Sequence, residues 1–268
     1  MRLTFILPAL DEAAGLMATL SPLQSLRAQG HEVILVDGGS RDGTPDLAVP
    51  WVDRVLTAPR GRARQMNAGA AATQGEALVF LHADTRLPED AAPLIQGALR
   101  ERLWGRFDVR ITGRPRVLKL VARLMNLRSR LTGIATGDQA LFVRREAFTA
   151  VGGFPDQPLM EDIELSKRLK RLGPPACLRQ RVLTSGRRWE SQGPWRTILL
   201  MWCLRFDYWR GVPAEALAAR YCLPARTQTV ASPTDERCQL TDTVASLPDV
   251  RCQWTEPTAR PTDERCQQ

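Results

Sequence analysis

The chain has 268 residues, 44% hydrophobic and 25% charged, which suits a folded domain with a sizeable core and excludes a disordered polyelectrolyte. No segment reaches the roughly 20 consecutive apolar residues of a membrane-spanning helix. The opening MRLTFILPALDE lacks the length and cleavage site of a secretory leader, so the expected location is the cytoplasm. The net charge of +8 points to anionic partners: nucleic acid, nucleotide phosphates or an acidic membrane surface.

The elements follow in chain order. Arg2 to Pro8 reads as a buried strand, and Glu12 to Gln29 as a helix with Asp11 placed to cap it. His31 to Asp37 is a second strand ending in the loop GGSRDG. Asp53 to Thr57 is a short third strand, Arg60 to Thr73 an Ala-rich helix, and Glu76 to Leu81 a fourth strand. Strands alternating with helices at this spacing imply an α/β fold with a mostly parallel sheet between helices.

The alternation then loosens. Pro88 to Arg102 reads as a helix, and Trp104 to Thr112 alternates like a half-exposed strand. Arg116 to Leu131 is an amphipathic helix with Val117, Leu120, Val121, Leu124, Leu127 and Leu131 on its apolar face. A strand at Ala140 to Arg144 and a helix at Asp162 to Leu172 come next. Two helices follow, at about Pro194 to Arg210 and Pro213 to Arg220.

A boundary falls near residue 223. From Thr229 the chain repeats every 14 residues, with Cys238, Cys252 and Cys266 in register. This stretch carries seven acidic and four basic residues, so the positive charge belongs to the region before it. A short period with recurrent proline implies a disordered tail over 224–268, with a binding tail or metal-thiolate array as the functional alternative. Cys177, Cys203 and Cys222 are expected as reduced residues in or near the core.

Asp11, Asp37 and Asp84 each follow the end of a predicted strand. Ligands of open α/β sheets bind outside the carboxyl ends of the strands, so these acids converge on one edge. A lone aspartate there is as well explained as a helix cap; three at successive strand ends favour a shared site. GRARQMNAGA opens a helix with Arg62 and Arg64 in its first turn. Cations there oppose the helix dipole unless an anion is bound, which favours a phosphate site.

PALDE at 8–12, VDGGSRDGT at 36–44, HADTRLP at 82–88, GDQALFVRREAF at 137–148, GGF at 152–154, MEDIELSKRL at 160–169 and RRW at 187–189 occur in this order. In that order they resemble a family-2 glycosyltransferase of GT-A fold over residues 1 to 221. The closest likeness is to a soluble bacterial branch found beside radical-SAM-associated genes. The resemblance implies a sugar transfer from a nucleotide-diphosphate donor to a hydroxyl acceptor, with inversion at the anomeric carbon. It puts Asp37 on the base edge, with Pro8, Leu10 and Glu12 lining the same pocket. Gly38 and Gly39 would permit close backbone approach and positive φ. Arg62 would meet the diphosphate, and Asn67 the nucleotide or nearby backbone. Arg187, Arg188 and Trp189 would close over the diphosphate and acceptor.

HAD stands where the family keeps its DxD metal motif. Asp84 is the expected ligand of a divalent cation bridging the diphosphate. His82 replaces the first acid, and imidazole tilts the choice toward Mn²⁺ over Mg²⁺; a hydrogen bond at the strand end is the other role open to it. Asp162 corresponds to the family's general base, with a helix N-cap as the alternative.

Other readings remain at this stage. A sugar-1-phosphate nucleotidyltransferase would need a Gly-rich basic loop directly after the first strand, where PALDE stands. A glycosidase could use two carboxylates without a diphosphate site. The basic helix at 116–131 and the Trp-rich one at 194–209 either cover the sheet or lie on a membrane. The second case would suit a lipid-linked acceptor and a protein peripheral to the inner membrane face. The motifs direct the positive charge to nucleotide phosphates and such a surface rather than to nucleic acid.

Overall fold

The computed structural model describes residues 1–222; the expected repeat tail lies outside the described residues. The chain begins β1 (Leu3–Ala9), α1 (Ala13–Ala28), β2 (Glu32–Asp37), α2 (Thr44–Ala48), β3 (Arg54–Thr57), α3 (Arg62–Ala71) and β4 (Ala77–Phe80). It continues β5 (Thr85–Arg86), α4 (Ala91–Glu101), β6 (Trp104–Ile111), α5 (Val117–Thr132), β7 (Phe142–Arg144), α6 (Arg145–Ala150) and α7 (Glu161–Lys170). It closes with β8 (Ala176–Thr184), α8 (Arg187–Gln192), α9 (Pro194–Trp209) and α10 (Ala214–Cys222).

The strands form one mixed, mostly parallel sheet in the order β3-β2-β1-β4-β7-β6-β8-β5. β1 is buried along its whole length because helices cover both faces of the sheet. On one face Leu3, Phe5 and Leu7 pack in the cluster that holds Leu16, Leu20 and Leu23 of α1. On the other Ile6 packs with Ala63, Met66 and Ala70 of α3. Gly69 allows α3 to sit this close: a Cβ there would stand 2.4 Å from Ile6 Cγ2.

Chain direction decides where the site forms. β1 pairs in parallel with β2 on one side and β4 on the other, so the connections diverge between β1 and β4. That divergence opens a crevice at the carboxyl ends of the strands. β7 runs antiparallel to β4, so the turn at Gly137–Gln139 before it lies at the same edge. β6 and β8 run parallel and end together at Ile111 and Thr184, which brings the start of α8 to that edge as well.

Several expectations are corrected. β6 is not half-exposed: all its residues except Arg110 are buried. Its charged positions misled the pattern, because Arg106 and Asp108 pair with each other, and Arg130 of α5 reaches Asp108 at 2.8 Å. In α5 the buried positions are Leu118, Val121, Ala122 and Ser129, while Leu120, Leu124, Leu127 and Leu131 face outward. Asp11 does not cap α1. It adopts φ +53° and accepts the Arg41 N–H, while Asp42 accepts the Ala13 N–H at 2.9 Å. Cys203 is exposed rather than in or near the core, whereas Cys177 is half-buried.

Candidate active site

Asp37 ends β2 with 4% of its surface exposed. Its carboxylate accepts the Gly39 N–H at 2.8 Å and the Ser40 N–H at 3.0 Å, folding the loop back on itself. Gly39 has φ +93°, and Gly38 lies against Gln65, whose amide would crowd a Cβ at 3.0 Å. The same Gln65 donates to the carbonyls of Ala9 and Val36, both at 2.8 Å. One buried amide therefore ties α3 to the ends of β1 and β2, beside Pro8 and Leu10. Sequence reasoning passed over Gln65; its position as the last residue of GRARQ, on the inner face of the helix, was the available signal.

Glu12, Asp84 and Arg187 come together. Arg187 Nη2 donates to Glu12 Oε2 at 2.7 Å and lies 3.8 Å from Asp84 Oδ2. The hydrogen bond and charge of Glu12 hold the guanidinium pKa above its usual value. Asp84 and Arg187 border a cleft of about 500 Å³ that Arg86, Thr19 and Ser185 also line.

Other expected donor residues go elsewhere. Arg188 donates to the Tyr221 carbonyl at 2.9 Å and stacks 3.5 Å from the centre of its ring. Trp189 packs against the main core cluster. Asn67 donates to the Phe154 carbonyl at 2.8 Å and accepts its N–H at 3.0 Å, so it clamps the GGF loop onto α3. Arg64 is engaged by Asp156 at 2.7 Å.

His82 and Asp84 face different neighbours. His82 Nδ1 lies 3.4 Å from Asp138 Oδ1, while Nε2 faces Gly137, where a Cβ would come within 2.3 Å. Asp84 instead faces Arg187. Among the described residues no cluster of three or more His, Cys, Asp or Glu could hold a metal ion by itself.

A second group surrounds the head of α7. Met160 precedes the helix at φ +65°, so Asp162 is not the capping residue. Asp162 Oδ2 accepts the Gly137 N–H at 2.9 Å. Asp162 also borders, with Glu161, His82 and Met66, a narrow crevice. Burial, then the charge of Asp162, pushes the Glu161 carboxyl up to about 7. Arg62 faces this group. Crowding by protein works against its charge, but Tyr221, Glu161, Asp138 and Asp162 together hold its pKa up. Arg62 is exposed and Asp138 half-exposed beside His82.

The comparisons with known proteins bear on this edge. Residues 4–148, over half of the chain, match the family model of glycosyl transferase family 2. The chain belongs to that family. It is 26% identical over 239 residues to the beta-monoglucosyldiacylglycerol synthase of Synechocystis sp., covering 78% of this chain and 50% of that protein. The chain spans about half the length of the curated relatives it matches. Among solved structures, the mannosyltransferase PcManGT of Pyrobaculum calidifontis, in complex with GDP-Man and Mn²⁺, superposes with a TM-score of 0.54 at 22% identity. The match covers 68% of this chain and 56% of that one. TarS of S. aureus in complex with UDP-GlcNAc gives 0.55 at 15% identity, over 69% and 58% of the two chains. These likenesses establish the GT-A fold, as expected from the motifs.

Proposed function

We propose that the protein is an inverting glycosyltransferase that moves a sugar from a nucleotide-diphosphate donor to a hydroxyl acceptor. The observation that carries this reading is the meeting of Glu12, Asp84 and Arg187 at the strand ends, on the same edge of the sheet as the narrow crevice that Glu161 and Asp162 border. The family match supports it over the nucleotidyltransferase and glycosidase alternatives. Asp37 with Pro8, Leu10 and Gly39 receives the base. Arg187 and Arg62 carry the positive charge for the diphosphate. Arg188, Trp189 and Asn67 act by holding the walls.

The GT-A neighbour that carries Mn²⁺ supports a divalent cation, Mn²⁺ before Mg²⁺. Asp84 fits it as a single carboxylate, since such ions are held by one or two carboxylates together with substrate phosphates. When bound, the cation neutralises charge on the departing diphosphate. His82, with Nδ1 on Asp138, serves by orienting that acid. Asp162 takes the acceptor's proton as the hydroxyl oxygen attacks from the side opposite the diphosphate. Its hydrogen bond to the Gly137 N–H fixes the carboxylate. A positioned carboxylate base contributes typically about 10²–10⁴-fold. The acceptor is read as lipid-linked, reached from the cytoplasmic face of a membrane.

A thermal-shift screen of UDP- and GDP-sugars with and without Mn²⁺ tests the donor site. The true donor stabilises the fold by mass action, by about 2.7 kcal/mol at a hundredfold excess over its Kd. No stabilisation by any nucleotide sugar or free diphosphate overturns the reading.

A further inference from the structure

Thirteen large apolar side chains are strongly exposed among the described residues, and nine of them lie on α5 and α9. On α9 they are Trp195, Leu199, Trp202, Phe206 and Trp209, which repeat every three or four residues and form one continuous face. On α5 they are Leu120, Leu124, Leu127 and Leu131, again one face. Each helix has 16 residues, about 24 Å of length. Neither stripe is needed for the core, because each helix buries a different side: Leu118 and Val121 in α5, Leu204 in α9.

The two helices are neighbours. Ile198 of α9 packs against the cluster that contains Leu118 and Val121 of α5. Arg205 of α9 stands close enough to Arg128 of α5 to repel it. The charge around the stripes has one sign. α5 contains Lys119, Arg123, Arg128 and Arg130 and no acid. α9 contains Arg196, Arg205 and one acid, Asp207, which Arg220 neutralises.

The seam between the helices brings together two guanidinium groups, Arg128 and Arg205. Arg128 Nη2 is buried and has no hydrogen-bond partner among the described residues. Burial, then repulsion from Arg205, lowers the Arg128 pKa to about 10, while Asp162 works in the opposite sense. Burial likewise lowers Arg205, and Asp162 and Asp138 oppose it. A buried guanidinium N–H left unsatisfied is costly, and an anion delivered to the seam removes the cost.

We propose that α5 and α9 dock the protein on an anionic bilayer, and that Arg128 and Arg205 receive a lipid phosphate beside Asp162. This rests on Asp162 as the base and names the acceptor as a phosphate-bearing lipid. An interfacial surface needs aromatic and leucine side chains flanked by Lys and Arg, because the first bury in the acyl boundary and the second attract lipid phosphates. Both are present here. A second copy of the chain would present the same excess of positive charge and repel it.

The test is co-sedimentation of the full chain with phosphatidylcholine vesicles and with vesicles containing phosphatidylglycerol, at low and high salt. Binding should favour phosphatidylglycerol severalfold at low salt and fall as salt rises. Trp202→Glu with Trp209→Glu should reduce vesicle binding at least tenfold and leave UDP or GDP affinity, measured without vesicles, unchanged. Arg128→Gln with Arg205→Gln should weaken the preference for phosphatidylglycerol severalfold while melting at the same or a higher temperature, because a repulsive pair is removed. Inorganic phosphate at millimolar concentration should not displace the protein from vesicles.

Equal binding to both vesicle types, a Trp variant that binds like wild type, displacement by free phosphate, or self-association in place of vesicle binding would each overturn the proposal. A chain that binds nucleotide but no vesicle loses only this inference. A chain that binds vesicles but no nucleotide loses the donor site.

Discussion

Glu12 and Arg187, 175 positions apart in sequence, meet in a charge-assisted hydrogen bond of 2.7 Å at the mouth of the cleft. With Asp84 Oδ2 at 3.8 Å, the guanidinium sits between two carboxylates. In the proposed function this cation meets the diphosphate, and Asp84 is the acid it would release to a metal. Arg187→Ala should weaken UDP or GDP binding about 10- to 100-fold, the worth of a charged hydrogen bond. Asp84→Ala should remove mainly the part of the affinity that depends on Mn²⁺. Titration calorimetry with and without the metal reads both; equal affinities across wild type and variants would remove these residues from the donor site.

Gly137 is where the second half of the site is most sensitive to added volume. Its Cα lies against the His82 ring, so a Cβ would fall 2.3 Å from Nε2. Its N–H also fixes Asp162. Gly137→Ala should therefore cost about 1–3 kcal/mol of stability through overpacking. His82→Ala in the same chain should restore most of it by vacating the space. Urea unfolding of the two single variants and the double variant checks this. Additive losses would mean that the ring and Gly137 do not contend for one space.

The strand-helix alternation of the first 80 residues was readable because β1, β2 and β4 are buried on both faces and carry near-continuous apolar runs. β8 was missed since Arg179, Gln180 and Arg181 interrupt it and stand exposed beyond a bulge at Phe107/Asp108. β6 was found, but its burial was misjudged: Arg106 and Asp108 look like solvent positions and pair with each other inside. The α5 stripe failed for a different reason. Periodicity shows that leucines share a face but does not say whether that face meets the sheet, and here Leu118, Val121 and Ala122 do so instead. In the site, carboxylates at strand ends were legible from topology. The partners of Arg188, Asn67 and His82 were not, because each depends on a contact distant in sequence: Tyr221, Phe154 and Asp138.

Glu161 gives a pH dependence of known sign. Burial, then Asp162, raises its pKa to about 7, whereas the unfolded chain titrates near the ordinary value of 4.5. Across that window the native state holds a proton that the unfolded chain has released. Stability from this group is thus greatest at the acid end and declines as pH rises toward 7, by at most about 1.4 kcal/mol per unit. Glu161→Gln, neutral throughout, should flatten this part of the profile and melt higher than wild type at pH 8. Denaturant midpoints at pH 5, 6, 7 and 8 measure it; parallel profiles for the two proteins would show that Glu161 does not hold the proton.

Asp162→Asn tests the chemistry most directly. Asn keeps the size of the side chain, and its Oδ1 can still accept the Gly137 N–H that Asp162 binds at 2.9 Å. What it loses is the ability to take a proton. Donor and metal affinity should survive, because the proposed diphosphate contacts come from Arg187, Arg62 and Asp84. Turnover should fall by the roughly 10²–10⁴-fold worth of a general base. A lower kcat at unchanged donor affinity marks an interaction used in the transition state rather than in binding. Proton NMR of the transferred sugar should show the anomeric configuration opposite to that of the donor, because the oxygen attacks from the face away from the diphosphate. Retained configuration, or near-normal turnover of the Asn variant with a working acceptor, would remove Asp162 from the role of base while leaving the donor site intact.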